Sequence, residues 1–199
     1  MTFKDMKYQL IVDKVTELFL EKGISLVTVK DVASSIGLGE ATVYRYFSKK
    51  ENLVVEVATK LEDKIFLEYF KVDKALNGFD SIRKFYYNFL DVFKNRKEFY
   101  RFISEFDGFV LNKDCQLNEY EDRLKLFYEV FINAYNKGLI DKTVKEINDI
   151  NSFYLTTTHA LMGLCKKLAN SNILIQDEKM DKVKEIEMLI DIFMVNIKA

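Results

Sequence analysis

The chain has 199 residues, 31% of them charged and 49% apolar, which is the balance of a globular protein of one large or two small domains and excludes a disordered or collagen-like polymer. Its formal net charge is -1, so any contact with nucleic acid has to come from a local cluster of cations and not from a broad basic field. Two cysteines without metal-type spacing, Cys115 and Cys165, and one histidine, His159, offer no zinc site and no nucleophile–base pair, and the sequence lacks both a secretory h-region in MTFKDMKYQL and an uncharged apolar run of the roughly 20 residues a membrane helix needs.

Proline is absent where a chain of this length usually holds about ten. Because proline interrupts helix interiors, its absence suits an all-helical protein. The first helix is expected over 5–22, with Leu10 or Ile11, Val15, Leu18 and Phe19 on one face and Gly23 as its stop. Thr28 and Asp31 then form an S/T-x-x-D/E box that starts a second helix. Val32, Ala33 and Ile36 give it an inner face, and Gly37 supplies a left-handed stop. Leu38 turns back inward. Gly39 is an acceptable N-cap for a third helix whose Val43 and Phe47, four apart, point to the core. Ser48 to Glu51 reads as another capping box, so a fourth helix begins at Lys49. Its Leu53, Val57, Leu61 and Ile65 recur at fours, and no breaker appears before Gly78. This helix is expected to reach about Phe70 and to be shared by an N-terminal domain, 1–52, and a C-terminal domain, 53–199, with no flexible linker between them.

Two helices joined by a short glycine turn make a helix-turn-helix, whose second helix enters the DNA major groove. Residues 1–60 hold nine Lys/Arg against eight Asp/Glu, yet Thr42 to Lys50 contains no acid. Thr42, Tyr44, Arg45, Tyr46, Ser48, Lys49 and Lys50 carry hydroxyls and positive charge, a composition fit for phosphate.

Past Gly78 the chain is rich in Phe and Tyr. Helices are expected at 79–95 and 97–110, with a loop around Gly108 and Asn112-Lys113-Asp114. A longer helix follows over about 117–136, with Leu124, Phe127, Tyr128, Phe131 and Tyr135 on one side and Lys137-Gly138 as its stop. The last two are expected at about 144–169, with Tyr154, Leu161 and Cys165 near one face, and at about 179–198. In the final helix Val183, Ile186, Ile190, Phe193 and Ile197 are spaced 3, 4, 3, 4, a coiled-coil-like seam, and Leu189 with Met194 widens its apolar surface.

The stretch Thr42-Val43-Tyr44-Arg45-Tyr46-Phe47-Ser48-Lys49-Lys50-Glu51-Asn52-Leu53, with Thr28, Ala33 and Gly37 ahead of it, resembles the TetR family of bacterial transcriptional repressors over about residues 7–61. Gly39 departs from that pattern, which usually has a polar residue there. The resemblance implies an N-terminal three-helix, homeodomain-like domain and a C-terminal helical bundle in which the last two helices dimerise. It implies that Glu40, Ala41, Thr42 and Arg45 face base edges, that Lys30 reaches the groove or its rim, and that Tyr44, Tyr46 and Lys50 fix phosphates, with Thr28 and Gly39 framing the reading helix. For the dimer it points to Tyr154 and Leu161 together with the Val183–Ile197 seam. It also implies a small-molecule effector. Aromatic density places the effector pocket within 60–170, with Phe66, Phe70, Phe89, Phe93, Phe106, Phe127, Tyr128, Phe131, Tyr154, His159 and Met162 as its candidate lining and a largely apolar ligand as its guest.

The expected function is a cytoplasmic, homodimeric, ligand-responsive repressor that binds a palindromic double-stranded operator, with no enzyme activity, cofactor or membrane partner. Two alternatives stay open: a helical small-molecule or lipid-binding protein with a vestigial helix-turn-helix, and a constitutive DNA-binding regulator whose aromatics simply fill a core.

Overall fold

A computed structural model describes residues 2–111, 113–170, 179 and 181–199. Among them lie nine helices and no strand: α1 Phe3–Lys22, α2 Val29–Ser35, α3 Glu40–Phe47, α4 Lys50–Tyr69, α5 Gly78–Asn95, α6 Lys97–Val110, α7 Asn118–Ile140, α8 Ile150–Ala169 and α9 Lys182–Ile197. No helix among the described residues is long and apolar enough to cross a membrane.

The chain forms two compact units. The first comprises the described residues of Met1–Asp63 and Arg101–Arg123, so it takes in most of α6 and the start of α7, which the sequence assigns to the C-terminal domain. Ile11, Val15 and Phe19 of α1, Val32 and Ala33 of α2, and Val43 and Phe47 of α3 are buried in it, with Leu53 and Val57 of α4. Leu10 is exposed and its neighbour Ile11 faces inward. Phe19 stacks on Phe102 of α6 at 6.3 Å, and Ile24 N donates to the Glu105 carboxylate at 2.7 Å.

The second unit comprises Lys64–Tyr100 and the described residues of Leu124–Ala199. Its centre is the inner face of α5, where Ile82, Phe85, Tyr86, Phe89, Leu90 and Phe93 are buried at helical spacing. The start of α5 crosses the end of α7 at a pair of glycines. A Cβ built on Gly78 would lie 2.0 Å from Gly138 N, and one on Gly138 would lie 1.8 Å from Val144 Cγ2. This explains why α7 runs through Lys137-Gly138, where the sequence predicts a stop. Gly138 permits close backbone approach, and the helix ends two residues later at Ile140.

Two other boundaries move. Val144, expected at the start of a helix, pairs instead with Lys198 in an isolated antiparallel bridge, and α8 begins at Ile150 behind an Asp149 cap that accepts from Ser152 N. Ser48 ends α3 with a positive φ of 53° and makes no side-chain cap for α4 among the described bonds, although α4 starts at once after it. Part of the expected loop, Asn112, and Met180 near the expected start of the last helix lie outside the described residues.

Candidate functional site

The helix-turn-helix forms as its residues dictate. Thr28 Oγ1 accepts from Asp31 N at 3.2 Å, and the Asp31 carboxylate takes the Thr28 N–H at 2.8 Å, a reciprocal capping box. The Thr28 hydroxyl and N–H hold the Asp31 carboxyl below its ordinary range. Gly37 stands at φ +66°, and Leu38 N returns to Ala33 O at 2.9 Å, so the turn reverses the chain between α2 and α3. Gly39 caps α3 without a side-chain bond, the contact its departure from the family pattern removes. Val43 and Phe47 anchor α3 inward. Its outer side carries exposed Glu40, Ala41, Tyr44 and Arg45, with Thr42 and Tyr46 half-buried and exposed Lys30 on α2. Tyr46 packs near Tyr8 at 6.5 Å, which fixes how the outer face of α3 sits on α1.

Lys50, expected at phosphate, is engaged within the first unit in the free protein. Its ammonium donates to Ile24 O at 2.6 Å and lies 6.0 Å from the Phe19 ring and 5.8 Å from Phe109. Burial, then the nearby Lys113 charge, lower its pKa. In the free protein Lys50 is therefore a strut between α4 and the turn after α1. Lys49, the exposed neighbour, extends to Asp114 O at 2.6 Å.

The expected effector residues divide. Phe66, Phe70, Phe89, Phe127, Phe131 and Tyr154 come together in the second unit as a web of ring contacts: Phe70 to Phe127 at 4.7 Å, Phe66 to Phe127 and Phe70 to Phe89 at 5.1 Å, and Phe131 to Tyr154 at 5.1 Å. Tyr128 joins through Tyr154, and its hydroxyl donates to Asn151 Oδ1 at 2.6 Å. Phe93 sits apart against Tyr100 at 6.2 Å, and Met162 is half-buried. Phe106 does not belong with them: it lies in the first unit, stacked on Phe102 and 4.9 Å from Tyr120. His159 is exposed on α8, because the helix turns it away from the buried Thr158 and Leu161 side. Buried polar contacts border the web: Tyr86 Oη and Thr157 Oγ1 at 2.7 Å, and Tyr100 Oη donating to Phe89 O at 2.8 Å; burial drives the Tyr86 pKa upward.

The expected dimer seam is occupied within the protomer. Leu161, Ile186, Ile190, Phe193 and Ile197 are all buried, Phe193 against Tyr86 at 5.4 Å, while Val183 and Tyr154 are half-buried. The added stripe proposed from Leu189 and Met194 is also turned inward, Met194 fully and Leu189 in part. What stays open is a different face. On α9 it carries Met188, 62% exposed, Ile192, 54%, and Val195, 75%. On α8 Leu155 is 50% exposed, and His159, Ala160 and Gly163 are exposed as well. Sequence reading missed Met188, Ile192 and Val195, although their spacing of four and three is a helical stripe of its own. The helix thus carries two apolar stripes, one buried in the chain's own core and one exposed.

Cys165 is buried and its thiol is pushed up to about 12 by burial, so it is inert, whereas Cys115 is half-exposed. Among the described residues no group of acidic, His and Cys side chains is arranged to hold a metal ion.

The family model for bacterial regulatory proteins, tetR family, matches residues 11–57. The HTH-type transcriptional repressor KstR2 of Rhodococcus jostii is 31% identical over 71 residues, 36% of this chain and 34% of that protein, so the match spans about a third of its length. Among solved structures, that of the ketosteroid transcriptional regulator KstR2 of Mycobacterium tuberculosis covers 95% of this chain and 93% of its own, with TM-score 0.64 and 17% identity. A TetR-family transcriptional regulator from Rhodococcus sp. covers 94% and 97% with TM-score 0.72 and 14% identity. At those identities the two structures speak for the fold.

Proposed function

We propose that the chain, whose residues 11–57 match the family model for bacterial regulatory proteins of the tetR family, is a homodimeric transcriptional repressor that binds a palindromic DNA operator and releases it on taking up a small molecule. The observation that carries this reading is the outer face of α3, where Thr42, Tyr44 and Arg45 stand on a helix with no acid between Thr42 and Lys50. Glu40, Ala41, Thr42 and Arg45 read base edges from the major groove. Tyr44, Tyr46, Lys30 and Lys49 hold the flanking backbone. Thr28 and Gly39 act through geometry, as the caps that aim α2 and α3. The site of action is the cytoplasm, where the operator is.

A single module with few phosphate contacts binds weakly, so the operator is read twice. The open stripe of Leu155, Met188, Ile192 and Val195 supplies the dimer surface, joining α8 and α9 to their counterparts about a two-fold axis. Two modules then meet half-sites about 34–36 Å apart or a multiple of that distance. The effector acts by binding more tightly to a dimer whose modules are spaced away from DNA; equal affinity for both states would change nothing. One observation favours a second reading, a constitutive regulator without effector: the rings of Phe66, Phe70, Phe89 and Phe127 touch one another as a filled core does.

The test is selection of binding sites from random duplexes, followed by anisotropy titration. Arg45→Ala should cost about 1–3 kcal/mol at the selected site and relax preference at one base position. Equal affinity of the unaltered protein for selected and scrambled duplexes would refute DNA recognition.

A further inference from the structure

The second unit contains a cleft of about 230 Å³ that none of the expected effector residues lines. It is bounded by the α4–α5 connection, the first half of α5 and the last turns of α7. Four lysines surround it, Lys71, Lys74, Lys84 and Lys137, with one acid, Asp73, so the cleft carries a net charge of +3 in a protein whose total is -1. Lys84 is paired only loosely, 3.6 Å from Asp73, and Lys137 is held over the connection by Lys74 O at 3.1 Å and by Leu76 O. Lys71 and Lys74 make no ion pair among the described residues.

Asn88 supplies a second, independent observation. It is 7% exposed, it lines the cleft, and its side-chain amide has no hydrogen-bond partner among the described residues. The amide atoms are not sealed off but open to the cleft, so they are available to bond an occupant. Water could do that much. The ring of ammonium groups selects further, for an occupant with negative charge. Phe85 and Ala134 make an apolar wall beside the polar groups. The volume is below the roughly 300–1,000 Å³ of sites for drug-sized ligands, which limits the guest to a small one.

We propose that this cleft binds a small organic anion, a carboxylate or phosphate group on a short apolar tail. The charged group meets the lysines and Asn88, and the tail lies along Phe85. This goes beyond the apolar effector that the aromatic core suggests. It rests on the repressor reading only for its consequence, because binding is measured on the free protein.

The experiment is calorimetric titration of the full chain with four probes: hexanoate, hexyl phosphate, inorganic phosphate and hexanol. At least one hexyl anion should bind, with hexanol and inorganic phosphate weaker by about tenfold or more, since each lacks one half of the recognised chemistry. Preference between hexanoate and hexyl phosphate tells which anionic group the site takes. The exposed triple variant K71A/K74A/K84A should keep its melting temperature and lose about tenfold or more in affinity. Asn88→Leu, which removes the amide at similar volume, should do the same. If neither hexyl anion binds, if hexanol binds equally well, or if the lysine variant binds like the unaltered chain, the site is wrong. An anion that binds without loosening the selected operator leaves the site standing and removes only its regulatory role.

Discussion

The proposed dimer face gives the sharpest quantitative expectation. Fully burying a valine or isoleucine side chain is worth about 1.5–3 kcal/mol. Ile192 keeps 54% of its surface exposed and Val195 75%, so covering them adds about 1–1.5 and about 1–2 kcal/mol. Two-fold symmetry doubles both, for a total of about 4–7 kcal/mol. Even the low end is about a thousandfold in dissociation constant. The variant I192D/V195D removes that gain and places four carboxylates in an apolar seam, where unpaired charge is costly. Sedimentation velocity at micromolar loading should show monomers, and thermal unfolding monitored by circular dichroism should show intact helices, because both positions are exposed in the protomer. The contrasting variant I190D/F193D should lose the fold itself, since Ile190 and Phe193 are both buried, Phe193 against Tyr86. A dimer that survives I192D/V195D, or an I190D/F193D protein that is folded and monomeric, would refute this assignment of the two stripes.

Two further outcomes follow from single contacts. Lys50→Met keeps the stem over Phe19 but strips the Ile24 carbonyl of its donor, so it should destabilise the free protein by about 1–3 kcal/mol in denaturant titration while the salt slope of operator binding is unchanged; a slope reduced by about one would mean that Lys50 leaves Ile24 for phosphate. Gly138→Ala sets a methyl against Val144, and Gly78→Ala sets one against the α7 backbone, so Gly78→Ala should be the worse of the two by melting temperature, because a side chain can rotate away and a backbone cannot.

The sequence was informative where a residue's neighbours along the chain decide its role. Thr28, Asp31, Gly37, Val43 and Phe47 act within one or two turns of themselves, and the helix-turn-helix forms as their order implies. The ends of α7 and α8 were less legible because partners distant in sequence determine them: Gly138 has Gly78 and Val144 against it, and Val144 is drawn off by Lys198. The same holds for Lys50, whose partner Ile24 is 26 residues away.

The dimer seam and the lysine cleft show a further limit. Periodicity says that a helix has an apolar stripe, but it does not say which molecule covers it. Ile186, Ile190, Phe193 and Ile197 form the more regular series on α9, and regularity belongs here to the stripe that meets the protomer's own fixed core. The looser stripe, Met188, Ile192 and Val195, is the one left exposed. Charge behaves likewise. Lys71, Lys74, Lys84 and Lys137 are scattered over 67 residues and read along the chain as ordinary solvated cations, with acids between them. Only the antiparallel return of α7 onto the start of α5 sets them around one opening, with Asn88 beneath. An effector class inferred from aromatic density alone therefore tends toward the apolar, because aromatics cluster along the sequence while the cations that would select an anion assemble only in the fold.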